Sequence, residues 1–232
     1  MNAVRYHASR PTDLRRVPRW HRLAYIVRAL PATIEELSGD LDPPRAGAVL
    51  DYGCADIPYR GLFGAEARYI AADLPGNPQA TVTIQPDGSV PVGDRSCDVV
   101  LSTQALEHVA DPGRYLAECF RVLKPGGRLL LSTHGVMAYH PDPDDYWRWT
   151  CAGLKRAVEQ AGFEVRRFEG IMGLAACGLQ LFQDGIYYRL PRLVKPVFAL
   201  SIQSLIAGFE RLQGTEGRRL NALVFVLVAE KP

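Results

Sequence analysis

The sequence predicts an α/β protein built on a doubly wound, mostly parallel sheet of seven strands. From Ala48 onward, short apolar runs alternate with helical patterns, which is typical of consecutive strand-helix-strand units. The chain has 232 residues, of which 47% are hydrophobic, so it can bury a substantial core. Global disorder is excluded by the same composition.

Seven apolar runs have the length and residue preference of strands. In chain order they are Ala48–Tyr52, Tyr69–Asp73, Thr81–Ile84, Asp98–Ser102, Arg128–Thr133, Phe163–Phe168 and Ala222–Ala229.

Two helices follow from their end signals. Asp111 precedes Pro112 and an apolar stripe that stops before Pro125-Gly126-Gly127, which predicts a capped helix between them. Thr150 caps a second helix, Cys151–Ala161, and the glycine that follows it ends this helix. Each helix has one apolar face for the sheet.

Two regions fall outside this alternation. Residues 1–42 are rich in arginine and end at the helix-breaking Asp42-Pro43-Pro44, so we expect a helical flank or lid. Residues 173–220, inserted before the last strand, are too long for a bare loop and are expected to be helical. We therefore divide the chain into a flank, 1–42, and a main domain, 43–232, which contains the insertion.

Charge and cysteine content limit the functional classes. The net charge of +2 provides no concentrated field for nucleic acid. The five cysteines form no CxxC pair, which argues against a zinc site or a disulfide framework and favours a cytoplasmic protein. No apolar run reaches the length of a bilayer span, so we expect no stable membrane insertion.

A ligand site is indicated after the first strand. Gly53 follows that strand in a strand-to-helix turn, where glycine lets a ligand approach the backbone. Asp73 ends the next strand 20 positions later, where an acid can bind ribose hydroxyls. This spacing predicts an adenosine-bearing cofactor. The absence of GxGxxG counts against hydride transfer.

Further motifs carry a family resemblance. The loop Asp51-Tyr52-Gly53-Cys54-Ala55-Asp56 is followed by Gln104-Ala105-Leu106-Glu107-His108-Val109 and by Arg121-Val122-Leu123-Lys124-Pro125-Gly126-Gly127. With these motifs the sequence resembles the class I S-adenosylmethionine-dependent methyltransferases, methyltransferase type 11. The resemblance implies a Rossmann-like fold and S-adenosylmethionine as cofactor.

The resemblance also implies roles for individual residues. Asp51 and Gly53 would flank the methionine moiety, and Asp73 would bind the ribose. The family usually has a second glycine where this chain has Ala55. The methyl group of Ala55 narrows the space in which a ligand can approach the backbone. The complete set of implied cofactor contacts is Asp51, Gly53, Cys54, Ala55, Asp73, Leu74, Asp87, Gly88 and Gln104.

The segment His134–Thr150 follows the fifth strand, at the sheet edge where α/β proteins bind ligands. Its aromatic and polar residues suit a polyhydroxylated acceptor. We expect His140, or else His134, to be the general base for the hydroxyl that receives the methyl group. The expected acceptor contacts are Tyr59, Asp144, Tyr146, Trp147 and Arg148.

A metal is a further hypothesis for this segment. Asp142, Asp144 and Asp145 offer the carboxylate oxygens that Mg²⁺ prefers. The alternative is a Pro-Asp turn with solvated carboxylates.

The function predicted first is O-methylation of a saccharide or similar metabolite. Pro58-Tyr59-Arg60 is similar to a variant in bacterial glycan-associated members, and the chain looks like an actinobacterial sugar methyltransferase of methylated-polysaccharide synthesis. One alternative is a quinone or isoprenoid methyltransferase at a membrane surface. Another is a non-catalytic module that binds cofactor or a partner. We expect a small-molecule or oligosaccharide acceptor, no nucleic acid, and a homodimer as one use of the apolar insertion.

Overall fold

The computed structural model describes residues 17–41 and 47–232. The predicted arginine-rich stretch up to residue 16 and the predicted break at 42–44 lie outside the described residues. The seven strands of the sheet are β1 (Ala48–Tyr52), β2 (Arg68–Asp73), β3 (Val82–Thr83), β4 (Cys97–Thr103), β5 (Leu123–His134), β6 (Glu164–Gly173) and β7 (Ala222–Glu230).

These strands have the order β3-β2-β1-β4-β5-β7-β6. β7 runs antiparallel to β5 and β6, while β1 is parallel to both β2 and β4. The predicted doubly wound, mostly parallel sheet is therefore confirmed. The carboxyl ends of β1, β2, β4 and β5 meet at one edge. This edge carries the loop after β1, Asp73, the motif after β4 and the segment after β5, whereas the motif Arg121–Gly127 lies at the start of β5.

Helices cover both faces of the sheet. They are α1 (Ile26–Ser38), α2 (Pro112–Val122), α3 (Cys151–Gln160), α4 (Leu174–Tyr187), α5 (Lys195–Leu212) and α6 (Thr215–Leu220). The last three confirm that the insertion before β7 is helical. The predicted caps are also present, since Asp111 accepts a hydrogen bond from the Arg114 amide and Thr150 accepts one from the Gly153 amide, both at 3.0 Å.

The sheet separates two hydrophobic clusters. One packs α1, α4 and α5 residues such as Ile34 and Ile206 against one face of the sheet. The other packs α2 and α3 residues such as Leu116 and Leu154 against the opposite face. β7 contributes to both clusters, because its side chains are buried on both faces as expected for a strand inside a covered sheet.

The structure corrects several local predictions. The chain after β1 does not enter an α-helix, and the connection to β2 contains only a 3₁₀ helix at Arg60–Leu62. β3 is shorter than the predicted Thr81–Ile84, whereas β5 starts before the predicted Arg128 and β6 continues beyond the predicted Phe168.

Candidate active site

The carboxylate of Asp51 lies at the end of β1 and is almost completely buried, with 1% of the residue exposed. Its Oδ2 accepts a hydrogen bond from the Tyr69 hydroxyl at 2.5 Å. Its Oδ1 has no hydrogen-bond partner among the described residues. Burial raises the pKa of Asp51 to about 7, although the Tyr69 bond opposes this effect. A buried acceptor of this kind is suited to a cationic or hydrogen-bond-donating ligand group.

Gly53 lets the loop after β1 touch the loop after β4. Its φ is +85°, and a Cβ at this position would lie 2.9 Å from the Cβ of Ala105. Any larger residue would therefore be strained and would push the two loops apart. The amides of Gly53 and Cys54 both donate to the carbonyl of Ala72 in β2, which fixes the loop against the sheet.

The carboxylate of Asp73 holds the next part of this loop. Its Oδ2 accepts from the Ala55 amide at 2.9 Å and from the Asn77 side chain at 2.6 Å, and its Oδ1 accepts from the Leu74 amide at 2.7 Å. A carboxylate has about four lone-pair sites, so Oδ1 can still accept a ligand hydroxyl. Ala55 has a φ of +45°, which places an alanine in the region where the family usually has glycine.

Gln104 follows β4 in the same left-handed region, with a φ of +54°. Its amide donates to the carbonyl of Ser132 in β5 at 2.9 Å, and its side-chain Nε2 donates to the Ser132 hydroxyl at 3.1 Å. This fixes Gln104 between the carboxyl ends of two central strands.

Two of the implied cofactor contacts, Asp87 and Gly88, differ in placement. The Gly88 carbonyl accepts the hydroxyl of Tyr52, so this residue is close to the end of β1. The Asp87 carboxylate is exposed and is engaged by Ser89 and by Arg114 of α2. The structure therefore brings the backbone of this loop to the predicted site, with the Asp87 side chain on its outer side.

Three histidines form a triangle where β4 and β5 end. The ring centroids of His108, His134 and His140 lie 6.0 to 6.3 Å apart. The two predicted candidate bases are thus brought together, and His108 joins them. The Nδ1 of His108 contacts the carbonyl of Asp144. This contact connects the 3₁₀ helix Leu106–His108 to the segment His134–Thr150, which we call the acceptor segment.

His134 is buried in this triangle, with 4% of the residue exposed. Its Nε2 lies 3.2 Å from Oε1 of Glu107, whose Oε2 accepts from the Thr133 hydroxyl. The pKa of His134 is lowered to about 3, mainly by burial and secondarily by the nearby charge of Arg148. His134 is therefore neutral at physiological pH and is a weak base.

Arg148 has a structural role that differs from the predicted acceptor contact. Its guanidinium donates to both carboxylate oxygens of Asp145 and to the carbonyls of Met137, Ala138 and Trp147. These five bonds use all five donors of an arginine. No donor of Arg148 is left for an acceptor, and the residue instead closes the segment on itself.

The same contacts give no support to the Mg²⁺ hypothesis for Asp142, Asp144 and Asp145. The side chain of Asp145 is inaccessible, and its oxygens accept from Arg148 and from the His140 amide. Burial alone would raise the pKa of Asp145, but these hydrogen bonds outweigh it and lower the pKa. In the described part of the chain, no group of three or more potential ligands could hold a metal ion.

The aromatic residues of the segment are exposed at this edge. The amides of Tyr146 and Trp147 both donate to the Glu107 carbonyl, and the Trp147 indole donates to Val109. Their side chains remain 53% and 38% exposed. Tyr59, in contrast, is buried in the cluster below α1, so the structure does not place it with the other expected acceptor contacts.

Three structural contributors were absent from the sequence prediction. They are Tyr69, which holds Asp51, Asn77, which holds Asp73, and Glu107, which organises the histidines. Glu107 lies inside the motif that carries the resemblance, so its position was an available signal. Tyr69 and Asn77 have no local pattern that distinguishes them from ordinary strand and turn residues.

Residues 50–131 match the family model described as a methyltransferase domain. This segment of the chain is therefore similar to S-adenosylmethionine-dependent methyltransferase domains. The chain as a whole also resembles a SAM-dependent methyltransferase from Aquifex aeolicus, with a TM-score of 0.53 and 14% identity over 86% of this chain and 89% of that one. At 14% identity this likeness concerns the fold alone.

Curated proteins similar to this chain include two that are named as O-methyltransferases. The malonyl-[acyl-carrier protein] O-methyltransferase of Methylococcus capsulatus is 31% identical over 142 residues, which cover 52% of this chain and 51% of the relative. The ubiquinone biosynthesis O-methyltransferase of Cereibacter sphaeroides is 31% identical over 131 residues, 48% of this chain and 51% of the relative. The chain thus spans about half the length of these relatives.

The described residues at this edge fit S-adenosylmethionine, the cofactor that the matched family model implies. The unpaired Oδ1 of Asp51 can accept from a ligand ammonium group, and Oδ1 of Asp73 can accept from a ribose hydroxyl. Gly53 leaves room where a Cβ would clash. These three features come from the ends of β1 and β2, which are neighbours in the sheet and end at the same edge.

Proposed function

We propose that this protein is an S-adenosylmethionine-dependent O-methyltransferase that acts on a hydroxyl group of a saccharide or a similarly hydroxylated metabolite. The observation that carries the proposal is the juxtaposition of the cofactor loops after β1 and β2 with the histidine triangle at the end of β5. A methyl donor and a proton acceptor would thereby share one sheet edge.

The cofactor would be held by Asp51 at its methionine end and by Asp73 at its ribose, with Gln104 beside the donor. When bound, it supplies an electrophilic methyl group to the site. In the loop after β1, Gly53 and Ala55 both adopt left-handed backbone conformations. The protein's main contribution is then to align the acceptor, since methyl transfer from a sulfonium needs little beyond alignment and a place for the proton.

We assign the general base to His140. A ring nitrogen of His140 would take the proton of the acceptor hydroxyl as the oxygen attacks the methyl group. His134 is the poorer choice, because its lowered pKa makes it a weak base. Its neutral ring lies 6.1 Å from that of His140 and would position it. The backbone amide of His140 donates a hydrogen bond to Oδ2 of Asp145, which holds His140 in place.

Exposed aromatic rings support a saccharide acceptor. Tyr139, Tyr146 and Trp147 are all exposed in the acceptor segment, and such rings stack on the C–H faces of sugars. The Asp144 carboxylate belongs to the same segment and could accept from sugar hydroxyls. Arg148 takes no part, since its donors are used within the segment.

A second candidate acceptor is a quinone or other isoprenoid. It is favoured by the exposed leucines of α5, among them Leu200 and Leu205, and by the relative named for ubiquinone biosynthesis. The apolar tail of such an acceptor could contact this helix while its hydroxyl reached the site.

The test is transfer of labelled methyl groups from S-adenosylmethionine to panels of sugars, quinones and small phenols, with and without chelator. Transfer to sugars that is lost in His140→Ala would support the proposal. Transfer to quinones alone would favour the second candidate. Cofactor binding without transfer to any acceptor would contradict both and indicate a binding module.

A further inference from the structure

Helices α4 and α5 present a continuous apolar surface to solvent, which we call the α4–α5 face. The rings of Phe182 and Phe198, one from each helix, lie 6.4 Å apart, so the helices are side by side. The exposed positions recur at helical spacing along each helix, which makes one stripe. Its large apolar members are Leu174, Leu181, Phe182, Leu193, Val194, Val197, Leu200, Leu205, Phe209 and Leu212.

This face is far more apolar than a solvated helix requires. Leu193 is 92% exposed, Leu212 is 83% exposed and Val197 is 67% exposed. A contiguous patch of this kind usually marks an interaction surface. Among the described residues, no helix is long and apolar enough to cross a bilayer.

The exposed charge around the α4–α5 face is positive. Arg189, Arg192 and Lys195 lie in the turn between the helices or at the start of α5. The two acids within residues 174–212 are both engaged elsewhere. Asp184 pairs with Arg22 at 2.8 Å, and the buried Glu210 accepts from the amides of Met172 and Gly173.

Aromatic rings lie among these cations. Lys195 is 5.2 Å from the ring centroid of Tyr187, and Arg22 is 5.6 Å from that of Tyr188. Tyr188 is 67% exposed and Trp20 is 54% exposed. Apolar side chains bordered by aromatic rings and basic residues are the composition of segments that lie in the membrane interface.

We propose that the α4–α5 face is a peripheral docking surface for an anionic phospholipid bilayer. The charge pattern favours a bilayer over a second copy of this chain, because a symmetric dimer through this face would bring the positive turns together without an exposed acid to meet them. The proposal does not depend on the acceptor, since it concerns a surface outside the histidine triangle.

Docking would also bring the candidate site close to the membrane. α4 starts at Leu174, directly after β6 ends at Gly173, and the carboxyl end of β6 lies at the same edge as those of β1 and β4. A bilayer bound to this face would therefore be next to the edge that carries the acceptor segment.

Sedimentation with vesicles tests the proposal. The full chain should bind vesicles of phosphatidylcholine mixed with phosphatidylglycerol, and should bind pure phosphatidylcholine more weakly. Replacing Arg189, Arg192 and Lys195 together by Gln should weaken binding to the anionic vesicles by roughly a hundredfold, from about fivefold per charge. The matched control replaces Arg95, Arg156 and Arg166 by Gln and should have a much smaller effect.

The apolar contribution has its own pair of variants. Leu193→Ser with Val197→Ser should weaken binding to both kinds of vesicle, whereas Leu220→Ser on α6 should not. Binding of S-adenosylhomocysteine by each variant reports folding. Absence of vesicle binding, or equal losses in the control variants, would overturn the proposal. So would a dimer in light scattering that Val197→Ser dissociates, together with no vesicle binding.

Discussion

The hydroxyl of Tyr69 donates to the buried carboxylate of Asp51 at 2.5 Å, across the pairing of β2 with β1. This bond is the one stabilising contact that offsets the burial of Asp51, and it leaves the other oxygen of the carboxylate for the cofactor. The protonation state of Asp51 therefore affects both the free energy of unfolding and the ability of its carboxylate to accept from the cofactor.

Asp51 should make the protein without cofactor less stable as pH rises. The pKa of Asp51 is about 7 in the fold and 3.8 in an unfolded chain. Between these values the folded state holds the extra proton, so the free energy of unfolding falls with increasing pH, by on the order of 4 kcal/mol in total. In urea unfolding, Asp51→Asn should therefore gain stability relative to the unchanged protein as pH rises from 4 to 7, whatever other groups contribute to both. Parallel curves for the two proteins would contradict the assignment.

His134 should have the opposite effect in an overlapping range. Its pKa falls from 6.5 to about 3 on folding, so the unfolded state binds the proton first and stability is lost as pH falls from 6.5 towards 3. In His134→Gln this acid-side loss should be smaller, and the decline due to Asp51 should become visible. Imidazole NMR should show His134 neutral at pH 5, and a protonated ring there would be incompatible with the burial we describe.

Asp73→Ala should abolish cofactor binding, because it removes the acceptor for the ribose hydroxyls. The same change also releases Ala55 and Asn77 from the loop. Asn77→Ala separates the two effects, since it loosens the loop but keeps the carboxylate. Calorimetry with S-adenosylhomocysteine should show no measurable binding for the first variant and a reduction of about tenfold for the second. Undiminished affinity in Asp73→Ala would refute the ribose assignment.

His140→Ala should lower kcat by roughly 10² to 10⁴, the usual contribution of a general base. Cofactor affinity should stay unchanged, because His140 is placed on the acceptor side. The measurement is single-turnover methyl transfer to the acceptor that the panel identifies. If His140→Ala turned over normally while His134→Gln did not, the base would be His134 instead.

Arg148→Ala should destabilise the fold by about 3 kcal/mol, since it leaves the inaccessible carboxylate of Asp145 without its partner. Arg148→Lys should restore only part of this loss, because an ammonium cannot make five directed bonds. Chemical denaturation measures both. The double variant Arg148→Ala with Asp145→Ala should be more stable than Arg148→Ala alone, and an additive loss would show that the two residues are not coupled.

The sheet could be predicted from sequence because its strands are continuous apolar runs. The predicted Ala48–Tyr52 has the same limits as β1, and the buried pattern of β7 explains why it was found. The chain after β1 was predicted less well. Its glycine turn favours a helix start, yet Tyr59 is drawn into the core and Arg60 starts a short 3₁₀ helix instead.

The candidate site, like the fold, could be predicted from sequence only in part. Asp51, Asp73 and Gln104 could be placed because each lies at or directly after the end of a strand, and the strand ends meet at one edge. The roles of Arg148 and Asp145 could not, since both look like surface residues in a polar segment. Only the fold shows that their charges are satisfied by each other and by nearby carbonyls.

The position of β7 has a consequence for synthesis on the ribosome. In the described part of the chain, β6 is hydrogen-bonded to β7 alone, and β7 also covers the outer edge of β5. Until residues 222–230 emerge, the nascent chain therefore exposes one open edge of β5 and both edges of β6. Helices α4 and α5 precede β7 in the chain, so they are the elements available to cover these strands before the sheet closes.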